Sequence, residues 1–218
     1  MSKHFWNSLS IAISVFFDEN EVHYTIFSTA CISDNNELIN LLIEFTKIDP
    51  SAKNNFAIRY TSEKGHIAVV DRLLQEPKNR VDPSADNNYA IRIASDNGHI
   101  AVVDRLLQEP KNRVDPSAKN NFAIRYTSEK GHIAVVDRLL QEPKNRVDSS
   151  ADINYAIRVA SKNGHIAVVE RLLQDRRVDP SAVNNFAIRY ASHNGHIAIM
   201  DRLLQDGQVK SGFICRQQ

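Results

Sequence analysis

Two cysteines in 218 residues, Cys31 and Cys215, are too few for a disulfide framework and lie too far apart for metal-ligand spacing. A reducing compartment, the cytoplasm, is therefore the expected location. Charge of either sign in excess is also missing: 27 lysines and arginines face 26 aspartates and glutamates, so no net field draws the chain to nucleic acid or to an anionic membrane. No apolar run approaches the roughly 20 residues that span a bilayer. The one segment resembling a leader, Leu9 to Phe17, is broken by Ser10 and Ser14. It is followed by acidic Asp18, Glu19 and Glu21 and has no small-residue cleavage site, which speaks against a signal peptide. A phosphate-cradling glycine loop, G-x-S-x-G, H-E-x-x-H and a Cys–His pairing are all absent. No enzyme and no cofactor are expected.

What is present is a repeat. Aspartates recur at Asp49, Asp82, Asp115, Asp148 and Asp179. Gly65, Gly98, Gly131, Gly164 and Gly195 recur in the same phase, each followed by histidine and isoleucine. The period is 33 residues, shortened to 31 between Asp148 and Asp179, and residues 49–82 and 115–148 are identical. The prolines fall between periodic stretches, at Pro50, Pro83, Pro116 and Pro180 after the aspartate and at Pro77, Pro110 and Pro143 after the Leu-Leu-Gln-Glu runs. Loops are confined to those points.

One unit shows how the sequence dictates local structure. Asp82-Pro83-Ser84-Ala85 suits a type I turn, because aspartate accepts from the backbone and proline presets the next φ. Asn88 stands where an N-cap belongs, before a short first helix from Tyr89 to Ser95. Asn97-Gly98 ends that helix, glycine tolerating a left-handed C-cap. A second helix is expected from about His99 to Glu109, with Ile100, Val103 and Leu107 as its apolar stripe, widened by Leu106, and Pro110 as its stop. Helices this short are marginal alone, so each unit must bury its stripe on its neighbours.

A unit of this length carrying Asn-Gly-His-Ile-Ala-Val-Val and then Leu-Leu resembles the ankyrin repeat, five times in phase from Asp49 to about Asp206. A degenerate unit upstream fits Thr25–Cys31 to the first helix and Glu37–Ile43 to the second, with Asp34-Asn35 in place of Gly-His. The resemblance implies an all-α fold, an ankyrin-repeat α-solenoid of paired short antiparallel helices joined by turns or hairpin-like loops. The family's T-P-L-H is replaced by Phe56-Ala57-Ile58-Arg59 and its counterparts, so the threonine-to-histidine hydrogen bond implied by the family is absent. The wording, Val-Asp-Pro-Ser-Ala included, is similar to ankyrin arrays of giant DNA viruses of amoebae. For a viral or effector protein the expected location becomes the host-cell cytoplasm.

The expected organisation is one ankyrin-repeat domain over 1–218: an N-terminal cap at 1–18, a degenerate repeat at 19–48, repeats at 49–81, 82–114, 115–147, 148–178 and 179–206, and a tail at 207–218. Phe5, Leu9, Ala12, Ile13 and Phe16 fit a capping helix over 4–17. Leu9, Ile11, Ile13 and Val15 also alternate as a strand would. The tail is too short for a domain and reads as a fraying end.

Three columns invite a functional reading. His66, His99, His132, His165 and His196 are spaced by packed helices some 8–10 Å apart, too far to share a zinc ion whose ligands stand about 2.0–2.1 Å away. They are read as fixing the turn into the second helix. Arg59, Arg92, Arg125, Arg158 and Arg189 occupy the place of the family histidine and are expected to tie each helix to a turn aspartate of their own or the next unit. A phosphate ladder is the alternative, disfavoured by the near-zero net charge. The resemblance places partner-facing positions just before the first helix, at Lys53, Asp86, Lys119, Asp152 and Val183. It places others before the glycine, at Glu63, Lys64, Asp96, Asn97, Glu129, Lys130, Lys162, Asn163, His193 and Asn194. These implied positions would line a concave groove that binds a protein partner, with no nucleic acid and no membrane, the chain acting as a monomer. A spacer without a dedicated partner is the competing expectation.

Overall fold

The computed structural model describes residues 19–46, 48–75, 80–110, 113–143, 146–207 and 209. The expected capping segment at 4–17, the leader-like stretch, Pro77 and Cys215 lie outside them. Among the described residues every regular element is a helix: α1 (Glu19–Ile32), α2 (Asn36–Phe45), α3 (Ala52–Lys64), α4 (Ile67–Leu74), α5 (Ala85–Asp96), α6 (Ile100–Leu107), α7 (Ala118–Lys130), α8 (Ile133–Leu140), α9 (Ala151–Asn163), α10 (Ile166–Leu172), α11 (Ala182–His193) and α12 (Ile197–Leu204). The fold is all-α, built from paired short helices. The chain divides into two compact units, 1–90 and 91–218, with the division inside α5.

In the first unit α1 pairs with α2 and α3 with α4, and α1 packs on α3 as α2 does on α4. The core holds Phe27, Ala30, Cys31, Ile39, Leu42, Ile58, Val69, Val70 and Leu73, all essentially inaccessible. The degenerate upstream pair is present: Asp34 takes the left-handed φ of 54° that glycine supplies elsewhere. Asn35 then caps α2 by accepting from Leu38 N–H at 3.0 Å.

In the second unit α7, α9 and α11 pack side by side, as do α6, α8, α10 and α12. Ile124, Ile157, Val135, Val136, Leu139, Val168, Val169 and Leu172 are buried between them, each large side chain stabilising the stack by roughly 1.5–3 kcal/mol. The apolar stripe of the second helices differs from the expected one. Val102, Val103, Leu106 and Leu107 are buried, whereas Ile100 is 38% exposed. With His99 at the N-cap, Ile100 is the first helical residue.

Candidate functional site

The first helix of each of the five regular repeats, α3, α5, α7, α9 and α11, begins on a feature that the sequence reading missed. Lys53-Asn54-Asn55, Asp86-Asn87-Asn88, Lys119-Asn120-Asn121, Asp152-Ile153-Asn154 and Val183-Asn184-Asn185 all have φ between 51° and 60°. Each triplet is a single left-handed turn, closed by the N–H of its last asparagine donating to the carbonyl of the serine four residues before, at 2.7–2.8 Å. Left-handed helix costs an L-residue about 1–2 kcal/mol, and asparagine is among the side chains that tolerate it. The Asn-Asn doublet was the available signal. It was read as an N-cap, but the third-place side chain reaches elsewhere: Asn55, Asn121 and Asn154 accept the backbone N–H of Asp82, Asp148 and Asp179, each at 2.7 Å.

The turn aspartates are occupied locally. Oδ1 of Asp49, Asp82, Asp115, Asp148 and Asp179 accepts from the N–H and hydroxyl of the serine two residues on, at 2.6–2.9 Å. Arg59, Arg125, Arg158 and Arg189 pair with none of them, contrary to the expectation. Instead Arg59 lies over the Tyr89 ring, Arg92 over Phe122, Arg125 over Tyr155 and Arg158 over Phe186, at 5.0–5.5 Å. Arg59 and Arg125 also reach the first residues of the next left-handed turns, Asp86 at 3.5 Å and Asp152 at 2.9 Å. A planar guanidinium serves both contacts because it stacks on a ring while its edge donates.

The histidines bind sideways as well. His66 Nδ1 donates to the Cys31 carbonyl at 3.1 Å, and Nε2 of His132, His165 and His196 donates to the carbonyls of Asp96, Glu129 and Lys162 at 2.9–3.1 Å. Each ring nitrogen must carry a proton there, since a carbonyl only accepts. The rings also press on the preceding unit's glycine: a Cβ at Gly98, Gly131 or Gly164 would meet the imidazole at 2.5–2.7 Å. The column is a set of clasps between units. Among the described residues no three of histidine, cysteine, aspartate or glutamate come together to hold a metal.

The candidate partner positions divide into two kinds. Those before the glycine are mostly engaged within the array. Glu63 accepts from the Tyr89 hydroxyl at 3.1 Å and from Lys64 at 3.0 Å, and the Lys64 contact holds its carboxyl below the usual range. Lys130 pairs with Asp96 at 2.8 Å. Glu129 accepts from the Tyr155 hydroxyl at 2.7 Å, and burial, aided by this hydrogen bond, pushes that hydroxyl up to about 12. Asn163 and Asn194 donate to the carbonyls of Glu129 and Lys162 at 2.8 and 2.7 Å, Lys162 stands over the Tyr190 ring, and Asn97 and His193 are exposed. The positions before the first helix are the opening residues of the left-handed turns. All five, Lys53, Asp86, Lys119, Asp152 and Val183, are exposed, as are the second-place residues Asn54, Asn87, Asn120, Ile153 and Asn184.

The loops carry a further set that the sequence did not reveal. Glu109 joins Arg105 and Arg113, and Glu142 joins Arg138 and Arg146. Arg146 donates to the Val114 carbonyl at 2.7 Å and Arg177 to that of Val147 at 2.9 Å. Where Ser149 replaces the turn proline, its hydroxyl donates to Asp175 at 2.7 Å. Arg177 clamps the same carboxylate and holds it well below the usual carboxylate range.

These features define a helical-repeat protein whose units are clasped by asparagine, histidine and arginine columns, with short left-handed turns facing solvent. No family model and no curated protein matches the sequence. Among solved structures the chain is similar to the X-ray structure of an ankyrin repeat family protein from Legionella pneumophila, at 20% identity over 87% of this chain and 71% of that one, with a TM-score of 0.43. No described helix is long and apolar enough to cross a membrane.

Proposed function

We propose that the chain is a non-catalytic protein-recognition module, monomeric and cytoplasmic, that holds a protein partner on the row formed by the left-handed turns of its second unit. The observation that carries this reading is where the side chains of those turns go. The third residue, at Asn55, Asn121 and Asn154, clasps the next unit, while the first two are exposed to solvent at conformational expense. Within the second unit that row reads Lys119, then Asp152 with Ile153, then Val183. Ile153 is 67% and Val183 44% exposed, and Lys119 is exposed. Strain and rigid backbone fix these side chains before any encounter, which lowers the ordering cost of binding. The residues before the glycines, Lys130, Lys162 and Asn163 among them, form the margin of the same surface.

The identical segments 49–82 and 115–148 favour a second reading, a spacer whose units were copied without selection for a partner. Proximity labelling in the native cell separates the two. A recognition module enriches the same protein in repeated experiments, and a spacer enriches none reproducibly.

A further inference from the structure

Two of the left-handed turns open on a carboxylate that an arginine of the preceding repeat reaches: Arg59 meets Asp86 and Arg125 meets Asp152, across 27 residues in both cases. Arg92 stands 27 residues before Lys119. It lies over the Phe122 ring at 5.1 Å, as Arg125 lies over Tyr155 at 5.0 Å. The place that holds a carboxylate in those two turns therefore holds a second cation here, exposed Lys119. Like charges in one place repel, and an anionic group set between them relieves the repulsion.

The next two turns offer apolar surface instead. Asp152 is already taken by Arg125 at 2.9 Å, which leaves Ile153, 67% exposed, as the outward feature of its turn. In the turn after that Val183 is 44% exposed. Both are β-branched residues at φ 54–55°, a conformation that suits such side chains least. Their exposure means that packing within the chain offsets little of that strain, whereas an apolar group laid on them from outside gains from their fixed positions.

Resting on the recognition reading above, we propose that the row is occupied by a partner segment in the polyproline-II conformation. An acidic side chain of that segment lies between Arg92 and Lys119, and bulky apolar side chains three and six residues along lie against Ile153 and Val183. The repeat distance selects the conformation. Helices α7, α9 and α11 pack side by side, and packed helices stand about 8–10 Å apart. A polyproline-II chain presents the same face every third residue, about 9.3 Å. A strand does so at about 6.6 Å or about 13 Å, and an α-helix at about 10.5 Å, so neither keeps step over three turns. A polyproline-II segment is also extended before it binds, and the turns are fixed by their backbone, so little ordering is needed on either side.

The test is an NMR titration of the full, isotope-enriched chain with three synthetic peptides of one composition. They are Glu-Pro-Pro-Leu-Pro-Pro-Leu, the same residues in reverse order, and Glu-Pro-Leu-Pro-Leu-Pro-Pro, in which the spacing is two. Either direction of a polyproline-II chain keeps the spacing of three. One of the first two peptides should therefore shift the amide signals of Lys119, Ile153 and Val183 and bind about tenfold more tightly than the third. Lys119→Glu, confirmed folded by circular dichroism, should weaken that peptide by about tenfold, and glutamine in place of its glutamate should do the same with the wild type. Ile153→Asn, a change to the residue that the other turns carry there, should weaken it as well. Equal binding of the three peptides, an unchanged affinity in Lys119→Glu, or no shift at millimolar peptide overturns the proposal. None of these results touches the recognition reading, which is judged by capture of a partner from the cell. A captured partner that binds this row through an α-helix would overturn the polyproline-II assignment alone.

Discussion

Ile153 is a β-branched residue at φ 54°, with its side chain mostly in solvent, while the other four units place asparagine there. The left-handed conformation opposes it and no packing compensates, so Ile153→Asn should raise stability by about 1 kcal/mol in denaturant unfolding. An unchanged or lowered midpoint would mean that the turn is not left-handed. Glycines offer a paired comparison. Gly131→Ala and Gly195→Ala both meet the left-handed penalty of about 1–2 kcal/mol, but only at Gly131 does the new methyl strike an imidazole, that of His165. Gly131→Ala should therefore lower the melting temperature more. Equal losses would remove the histidine clasp from the account. The recurring glycine was legible because its C-cap role is local. The use of the Asn-Asn doublet was not, since its side chain acts on a residue some 27 positions away.

The helices of the five regular repeats were legible because periodic apolar residues and Gly-His punctuation fix them from within, whereas the upstream first helix begins at Glu19, six residues before the expected Thr25. What escaped was how neighbouring units are joined. The arginine column was assigned to the turn aspartates by charge alone, yet each aspartate already has a serine two residues on, and the adjacent aromatic column receives the guanidinium instead. Asn121→Ala tests the clasp. It leaves the Asp148 N–H without its acceptor and should cost about 1–3 kcal/mol by denaturant unfolding. The Arg177–Asp175 loop gives a pH signature. Arg177 depresses the folded carboxyl, so its stabilisation is present above the ordinary carboxylate range and is lost as pH falls through that range toward the depressed value. The melting temperature of the wild type should exceed that of Asp175→Asn at neutral pH, and the gap should narrow below about pH 4. A gap constant with pH would deny the ion pair its role.

Across the whole chain, repetition explains why no lone active centre was legible: a segment present twice offers each constellation twice. What varies from unit to unit is what a partner could read, and the first residues of the left-handed turns, Lys53, Asp86, Lys119, Asp152 and Val183, vary in charge and shape. The sequence pointed to these positions through its resemblance to ankyrin repeats. It could not show that each of them stands on strained backbone, nor that most positions before the glycines clasp neighbours. The most direct measurement is affinity capture from the native cell with the wild type and with the combined variant Lys119→Glu, Asp152→Lys, Val183→Asp, both confirmed folded by circular dichroism. The account predicts that a protein reproducibly held by the wild type is lost from the folded variant. Retention of every captured protein by that variant would contradict it.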